Sequence, residues 1–230
     1  MTDWYKVKKV RIWVNWVEKQ IYPATWHPGS NTILYVPMEN DLLDHSSNHF
    51  TLTNSWVALA QNQANIPVWN FNGSSYLSWA NSSLFNFGDF HLGAWIKLSQ
   101  IKESQFVFGG ASSWDAFFGY QTFGGNNRLG VGRNGVAWDS VASITLNANG
   151  WYYICYDRQW STFTISCNWT TIWTSTNSNN YVTSWWFRIG DDWEWYNIYW
   201  YMSEFILENK ARTASEISEY YNLTKWNYWL

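Results

Sequence analysis

Residues 181–207, YVTSWWFRIGDDWEWYNIYWYMSEFIL, decide the fold. Phe187-Arg188-Ile189-Gly190 reads as a strand leading into a polar loop through Asp191, Asp192, Glu194 and Asn197. From Tyr199 to Leu207 the chain returns with apolar and polar residues largely alternating, the period of a half-buried strand. The pair is expected to form a hairpin.

Further strands lie upstream at the regular spacing of an all-β sandwich. Thr32 to Met38 opens the series, followed by Glu39 to Leu52, which carries Asp44, Ser46, Asn48 and His49. Asn70-Phe71-Asn72-Gly73 places an Asn-Gly turn inside a hairpin that continues to Leu77. In Phe90 to Leu98, Phe90, Leu92, Ala94 and Ile96 point one way. Later strands are predicted at Ser104 to Phe108, Ala116 to Thr122, Arg128 to Gly132, Ser143 to Leu146, Trp151 to Asp157, Ser161 to Asn168 and Thr170 to Trp173. Thr213-Ala214-Ser215-Glu216 is a capping box that opens a short helix to about Leu223, with Ile217, Tyr220 and Tyr221 facing the sandwich.

These motifs resemble the laminin-G-like, concanavalin-type jelly rolls. The resemblance rests on Phe187-Arg188-Ile189-Gly190, Tyr201-Met202-Ser203-Glu204-Phe205, the Asp44 to His49 opening, Asn70 to Leu77 and Ala94-Trp95-Ile96-Lys97, and it runs from about residue 30 to 225. It implies an all-β, two-sheet antiparallel jelly-roll sandwich over residues 32–230, with a short C-terminal helix. Residues 1–23 read as a separate β-hairpin ended by Pro23, and residues 24–31 as a linker. A short hairpin ahead of a β domain resembles the N-terminal pieces of phage tail and prophage surface proteins.

Tryptophan stands where that family places glycine, at 185, 193, 195 and 200. Trp16 after Asn15, Trp160 after Gln159, Trp169 after Asn168, and Trp173 occupy similar turn positions. Glycine reaches positive φ at little cost, whereas tryptophan carries a Cβ and a bulky ring. The chain has 21 Trp and only 14 Gly. A gene that reads UGA as glycine, translated with UGA as tryptophan, gives this pattern. The rival reading is an aromatic surface that stacks on sugars or bases. Trp95, Trp138 and Trp151 stand in ordinary strand contexts.

Charged residues make up 13% of the 230 and the net charge is −3, so no nucleic-acid footprint or polybasic membrane patch is expected. No apolar run reaches the roughly 18–20 residues of a membrane span, and the N-terminus lacks a secretory signal's layout. With Gln159-Trp160 as a two-residue turn, Cys155 faces Thr164 and Cys167 faces Tyr152. The two thiols then lie on opposite sheet faces and stay free.

Catalysis is not expected. Glycoside hydrolysis needs two carboxylates flanking the bond, and the Glu-x-Asp-x-x-Glu run of glucanases sharing this fold does not occur. His27, His45, His49 and His91 show no partner at catalytic or metal spacing. No cofactor is expected beyond calcium, for which Asp191, Asp192 and Asn197 offer hard oxygen ligands on one loop. Trp114, Tyr120, Tyr196 and Tyr199 are the candidate carbohydrate-binding residues, since rings on rim loops offer apolar faces and polar handles. The sequence therefore reads as a non-catalytic adhesion or recognition module on a virion or phage-derived particle. Its expected partners are a cell-surface glycan and, through the N-terminal hairpin, particle or tail proteins. The alternative is a structural β-sandwich that spaces a larger assembly.

Overall fold

The computed structural model describes residues 10–14, 17–21, 28–37, 41–63, 65–80, 82–86, 88–101, 104–110, 115–121, 127–133, 135–179, 181, 186–190 and 198–228; of 10–14, 17–21 and 104–107 it describes the backbone alone. Strands β1 (Val10–Val14) and β2 (Val17–Ile21) form a two-stranded sheet with Val14 opposite Val17. The sandwich strands follow as β3 (Thr32–Val36), β4 (Thr53–Ser55), β5 (Ala58–Gln61), β6 (Pro67–Asn72), β7 (Tyr76–Ala80), β8 (Phe90–Leu98) and β9 (Ser104–Gly110). Then come β10 (Ala116–Gln121), β11 (Arg128–Arg133), β12 (Ala137–Ser143), β13 (Trp151–Gln159) and β14 (Thr162–Cys167). β15 (Thr170–Thr176), β16 (Trp186–Ile189), β17 (Tyr199–Glu208) and helix α1 (Ala214–Thr224) complete the order.

The fold is the all-β sandwich that the sequence predicts. One sheet runs β12-β11-β10-β9-β16-β7-β4 and the other β15-β14-β13-β8-β17-β6-β5, with β3 also paired to β17. Described pairings are antiparallel throughout, so neighbouring rows of alternating side chains fall on common faces. Phe90, Leu92, Ala94 and Ile96 of β8 pack between the sheets with Phe108, Phe118, Phe187 and Phe205. The opposite face of β8 and β13 carries Trp95, Trp151, Tyr153 and Cys155, which α1 covers with Ile217, Tyr220 and Tyr221. Trp95 and Trp151 are buried as expected, each contributing roughly 1.5–3 kcal/mol by burial. The Trp95 indole also donates to Thr224 Oγ1 at 3.0 Å, which ties the helix end to the sheet.

β17 is the organising strand. Tyr199 to Met202 pair with β6, whereas Phe205 to Glu208 pair with β3 on the same side. The exchange happens at a bulge where Glu204 has φ 54° and donates its N–H to Pro37 O at 3.1 Å.

Several expectations need correction. Neither β16 with β17 nor β6 with β7 forms the expected hairpin: β16 and β7 lie in one sheet and β17 and β6 in the other, so each connection crosses the sandwich. The strand expected at Ser143 to Leu146 lies instead at Ala137–Ser143. Ile144 N–H turns to Asn127 O and Leu146 N–H to the Tyr120 hydroxyl, so the chain has left the ladder by then. The β13–β14 turn is Trp160-Ser161, because Gln159 faces Thr162. Cys155 therefore faces Ser166 and Cys167 faces Ile154; the thiols still lie on opposite faces, each buried. Trp200 is not at a turn: it lies in β17 and is fully buried. Its indole N–H has no hydrogen-bond partner among the described residues. His49 is exposed, with φ 49°.

Candidate functional site

At the end of the sandwich where β13 turns into β14 and β17 runs toward α1, a cleft of about 400 Å³ opens. Its walls are Asp157, Gln159, Thr162, Thr164 and Arg212, with Trp160 at the lip. Strand alternation explains the grouping. Asp157 faces Thr164 and Gln159 faces Thr162 across the β13–β14 ladder, so all four project on the outer face. That volume falls within the roughly 300–1,000 Å³ of small-molecule sites, though this lining is more polar than most.

The turn is firmly fastened. Trp160 N–H donates to Asp89 Oδ1 at 2.5 Å, and Arg158 Nε donates to Trp160 O at 3.0 Å. A second Arg158 nitrogen donates to Asn179 O at 2.8 Å. The other wall is held by Arg212, whose Nε and Nη2 donate to the two Glu208 oxygens at 2.7 and 3.0 Å. Its guanidinium also lies 4.9 Å from the Tyr220 ring centroid. Burial alone would lower the Arg212 pKa, but Tyr153 and Glu208 beside it outweigh that and raise it, so the side chain stays cationic.

Asp157 is the centre of the floor, only 4% exposed. Its Oδ1 accepts from His91 Nδ1 at 2.8 Å and from Arg212 N–H at 2.8 Å. A carboxylate oxygen only accepts, so Nδ1 of His91 carries the hydrogen. The Tyr153 hydroxyl lies 3.5 Å from His91 Nε2. Gly93 makes room for that approach: a Cβ there would come within 2.5 Å of the Tyr153 oxygen. Burial pushes the Tyr153 phenol well above its ordinary range, so it remains a neutral donor. Asp157 Oδ2, by contrast, has no hydrogen-bond partner among the described residues. A buried acceptor left unmatched inside a polar cleft is suited to a ligand's hydroxyl or amide hydrogen.

The residues expected to bind do not gather here. Tyr120 is corrected to a core residue: its ring is fully buried and its hydroxyl accepts from Leu146 N–H at 3.2 Å. Tyr199 is half-buried at the far end of β17, away from the cleft. Its ring lies over Gly73, where φ is 85° and a Cβ would come within 2.1 Å of Tyr199 Cζ, so both backbone and space demand glycine. Trp114, Tyr196, Asp191, Asp192 and Asn197 lie outside the described residues. Among the described residues, no group of three ligating side chains could hold a metal ion. No local pattern in the chain signals His91 with Asp157, which are 66 positions apart and meet only through the β8–β13 ladder.

The exposed tryptophans are spread over both sheets and the C-terminal segment, where Trp226 is also exposed. Trp56 sits between β4 and β5 at φ 65° and is 85% exposed, and Trp160 is 81% exposed at φ 59°. Trp169 lies at the other end of β14 from Trp160 and packs on Tyr221, while Trp186 belongs to the opposite sheet. Trp169 and Trp173 are also exposed, without left-handed backbones. Trp16, Trp193 and Trp195 lie outside the described residues.

No known family matches the sequence, and no curated protein matches it. Solved structures are similar. Domain 4 of AbnA, a GH43 extracellular arabinanase from Geobacillus stearothermophilus solved in complex with arabinotriose, matches with TM-score 0.69 and 18% identity, over 83% of this chain and 98% of that one. The binding domain of Paraclostridial Mosquitocidal Protein 1 matches with TM-score 0.67 and 15% identity, over 84% of this chain. The binding domain of botulinum neurotoxin serotype D/C gives TM-score 0.64 and 12% identity, also over 84%. The chain spans about half of each toxin binding domain, 52% in both cases. At these identities the likeness establishes the β-sandwich fold.

Proposed function

We propose that the protein is a non-catalytic glycan-binding module of laminin-G-like type, and that the β13–β14 cleft is its binding site. The observation that carries this is the unmatched Oδ2 of Asp157, a residue that lines the cleft together with Gln159, Trp160, Thr162, Thr164, Ala211 and Arg212. Amide and hydroxyl groups that donate and accept complement sugar hydroxyls, which do the same. The fold shared with an arabinanase domain solved with arabinotriose supports the reading. So does the state of the local acids: both Glu208 oxygens are held by Arg212, and Asp157 Oδ1 by two donors. That leaves Asp157 as the one acid of the two with an oxygen unheld, whereas glycoside hydrolysis needs two carboxylates flanking the bond.

The setting we propose is the surface of a phage or phage-derived particle, with the β1–β2 hairpin as the mounting piece. The support is the sequence resemblance of that hairpin and its pairing with itself. We also propose that Trp56 and Trp160 occupy positions where the gene specifies glycine. Left-handed backbone is rare for a bulky side chain, and both rings stand in solvent. A glycan array probed with the protein and with Thr164→Trp, which fills the cleft from one wall, tests the function. Binding that the substitution abolishes supports it; binding indifferent to the substitution, or none by folded protein, refutes the assignment of the site.

A further inference from the structure

We infer that the cleft selects neutral sugars and turns acidic ones away; this rests on the glycan reading above. The charged groups described around the site include Arg212, Lys210, Arg158, Asp157, Glu208 and Asp89, the last accepting from Trp160 N–H. Arg212 is the cation on the wall; its guanidinium donates to both Glu208 oxygens, and its backbone N–H to Asp157 Oδ1. Lys210, on the same connection, donates to Glu216 at 2.9 Å. Arg158, beside the turn, is directed to backbone carbonyls of Trp160 and Asn179. Two carboxylates, Asp157 and Glu208, thus stand against one guanidinium, that of Arg212, and with Glu208 clasped by it the excess negative charge falls to Asp157 in the floor.

That charge sits on a carboxylate 4% exposed to solvent, with one oxygen saturated by two donors and the other unmatched. Water screens such a group poorly. A uronate or sialate carboxylate brought beside it meets a like charge in a poorly solvated site, which disfavours the ionised pair. A neutral sugar hydroxyl instead donates to Oδ2 in a charge-assisted hydrogen bond, the stronger kind. Thr162, Thr164 and Gln159 then serve the neighbouring hydroxyls. Discrimination comes from the repulsive element as much as from the attractive one.

Calorimetric titration of the full chain with arabinotriose, xylotriose and galactotriose, against trigalacturonic acid and 3′-sialyllactose, tests this. At least one neutral sugar is expected to bind about tenfold or more tightly than either acid, the scale of one charged hydrogen bond. Asp157→Asn, checked for folding by thermal melting, should weaken that neutral sugar by about tenfold and narrow the gap to the acids. The neutral-to-acidic ratio is read on the unaltered chain, so it decides the matter even where the Asn variant fails to fold. Acidic sugars binding as tightly, in a manner lost in Thr164→Trp, would overturn the neutral preference while leaving a glycan site in place. No binding of either class by folded protein would overturn both.

Discussion

The carboxylate of Glu204 accepts the hydroxyl of Tyr220 at 2.6 Å, from a strand residue at φ 54° to the covering helix. Its other oxygen accepts from Tyr228 at 2.9 Å. All three side chains are nearly inaccessible, so the contact is a buried anchor between the β17 bulge and the C-terminal segment. Glu204→Ala removes the acceptor that two buried hydroxyls share and should lower stability by about 3 kcal/mol or more in urea unfolding. Tyr220→Phe, which removes one partner, should cost about 1–3 kcal/mol. A change below about 0.5 kcal/mol in Glu204→Ala would show that the helix is held by its apolar face alone, on the usual scale for exposed sites.

The start of α1 makes a pH-dependent contribution. Burial pushes the Glu216 carboxyl up, but hydrogen bonds from Thr213 N–H, Lys210 and the Thr213 hydroxyl outweigh it, and the pKa falls below its ordinary 4.5. A lowered carboxyl pKa adds stability that is present above the unfolded value and lost as pH falls through the folded one. Melting temperature should therefore drop on acidification below about pH 4.5 more steeply in the parent than in Glu216→Gln. Thr213→Ala should cost about 1 kcal/mol at neutral pH, the usual effect of losing such a cap.

Burial raises both thiols, Cys167 to about 12, and Cys155 also lies near Asp157. Thiolate is the reactive form. Neither cysteine should react with a thiol reagent at pH 8 until denaturant is added, and then both should. Rapid labelling of the native chain would contradict the placement of Cys155 beneath α1.

Glycine at 56 and at 160 should stabilise the chain, each by about 1 kcal/mol, because a bulky residue is strained at these left-handed backbones. Trp200→Gly should do the opposite and cost about 3 kcal/mol or more, since that ring is fully buried. Denaturant melts check the signs. UGA codons at 56 and 160 agree with the proposal, and UGG codons end it.

The fold was legible because its evidence is local. Alternation in Phe90 to Leu98 and the Thr213 to Glu216 box each act within a few residues, and each appears in the structure as expected; Asn72-Gly73 does turn the chain, with Gly73 at φ 85°, but it leads from one sheet to the other rather than closing a hairpin. The cleft was not legible, because Asp157, His91 and Arg212 come from three elements brought together only by strand pairing and the chain's exit from β17. Tyr120 shows the limit of reading by residue type: an aromatic on an alternating strand faces core or solvent according to register, and here it faces core. The turn at Trp160-Ser161 lay one residue beyond the one predicted for the same reason, since register is set by the facing strands.

The most direct test of a glycan site at the β13–β14 end is to map it by backbone amide NMR while titrating arabinotriose, xylotriose and galactotriose. Shift changes should gather on Asp157, Gln159, Thr162, Thr164 and Arg212, which line the cleft, and should vanish in Thr164→Trp. Changes centred instead on Tyr199 and Gly73, at the opposite end of the sandwich, would contradict the account, as would none with any of the three sugars.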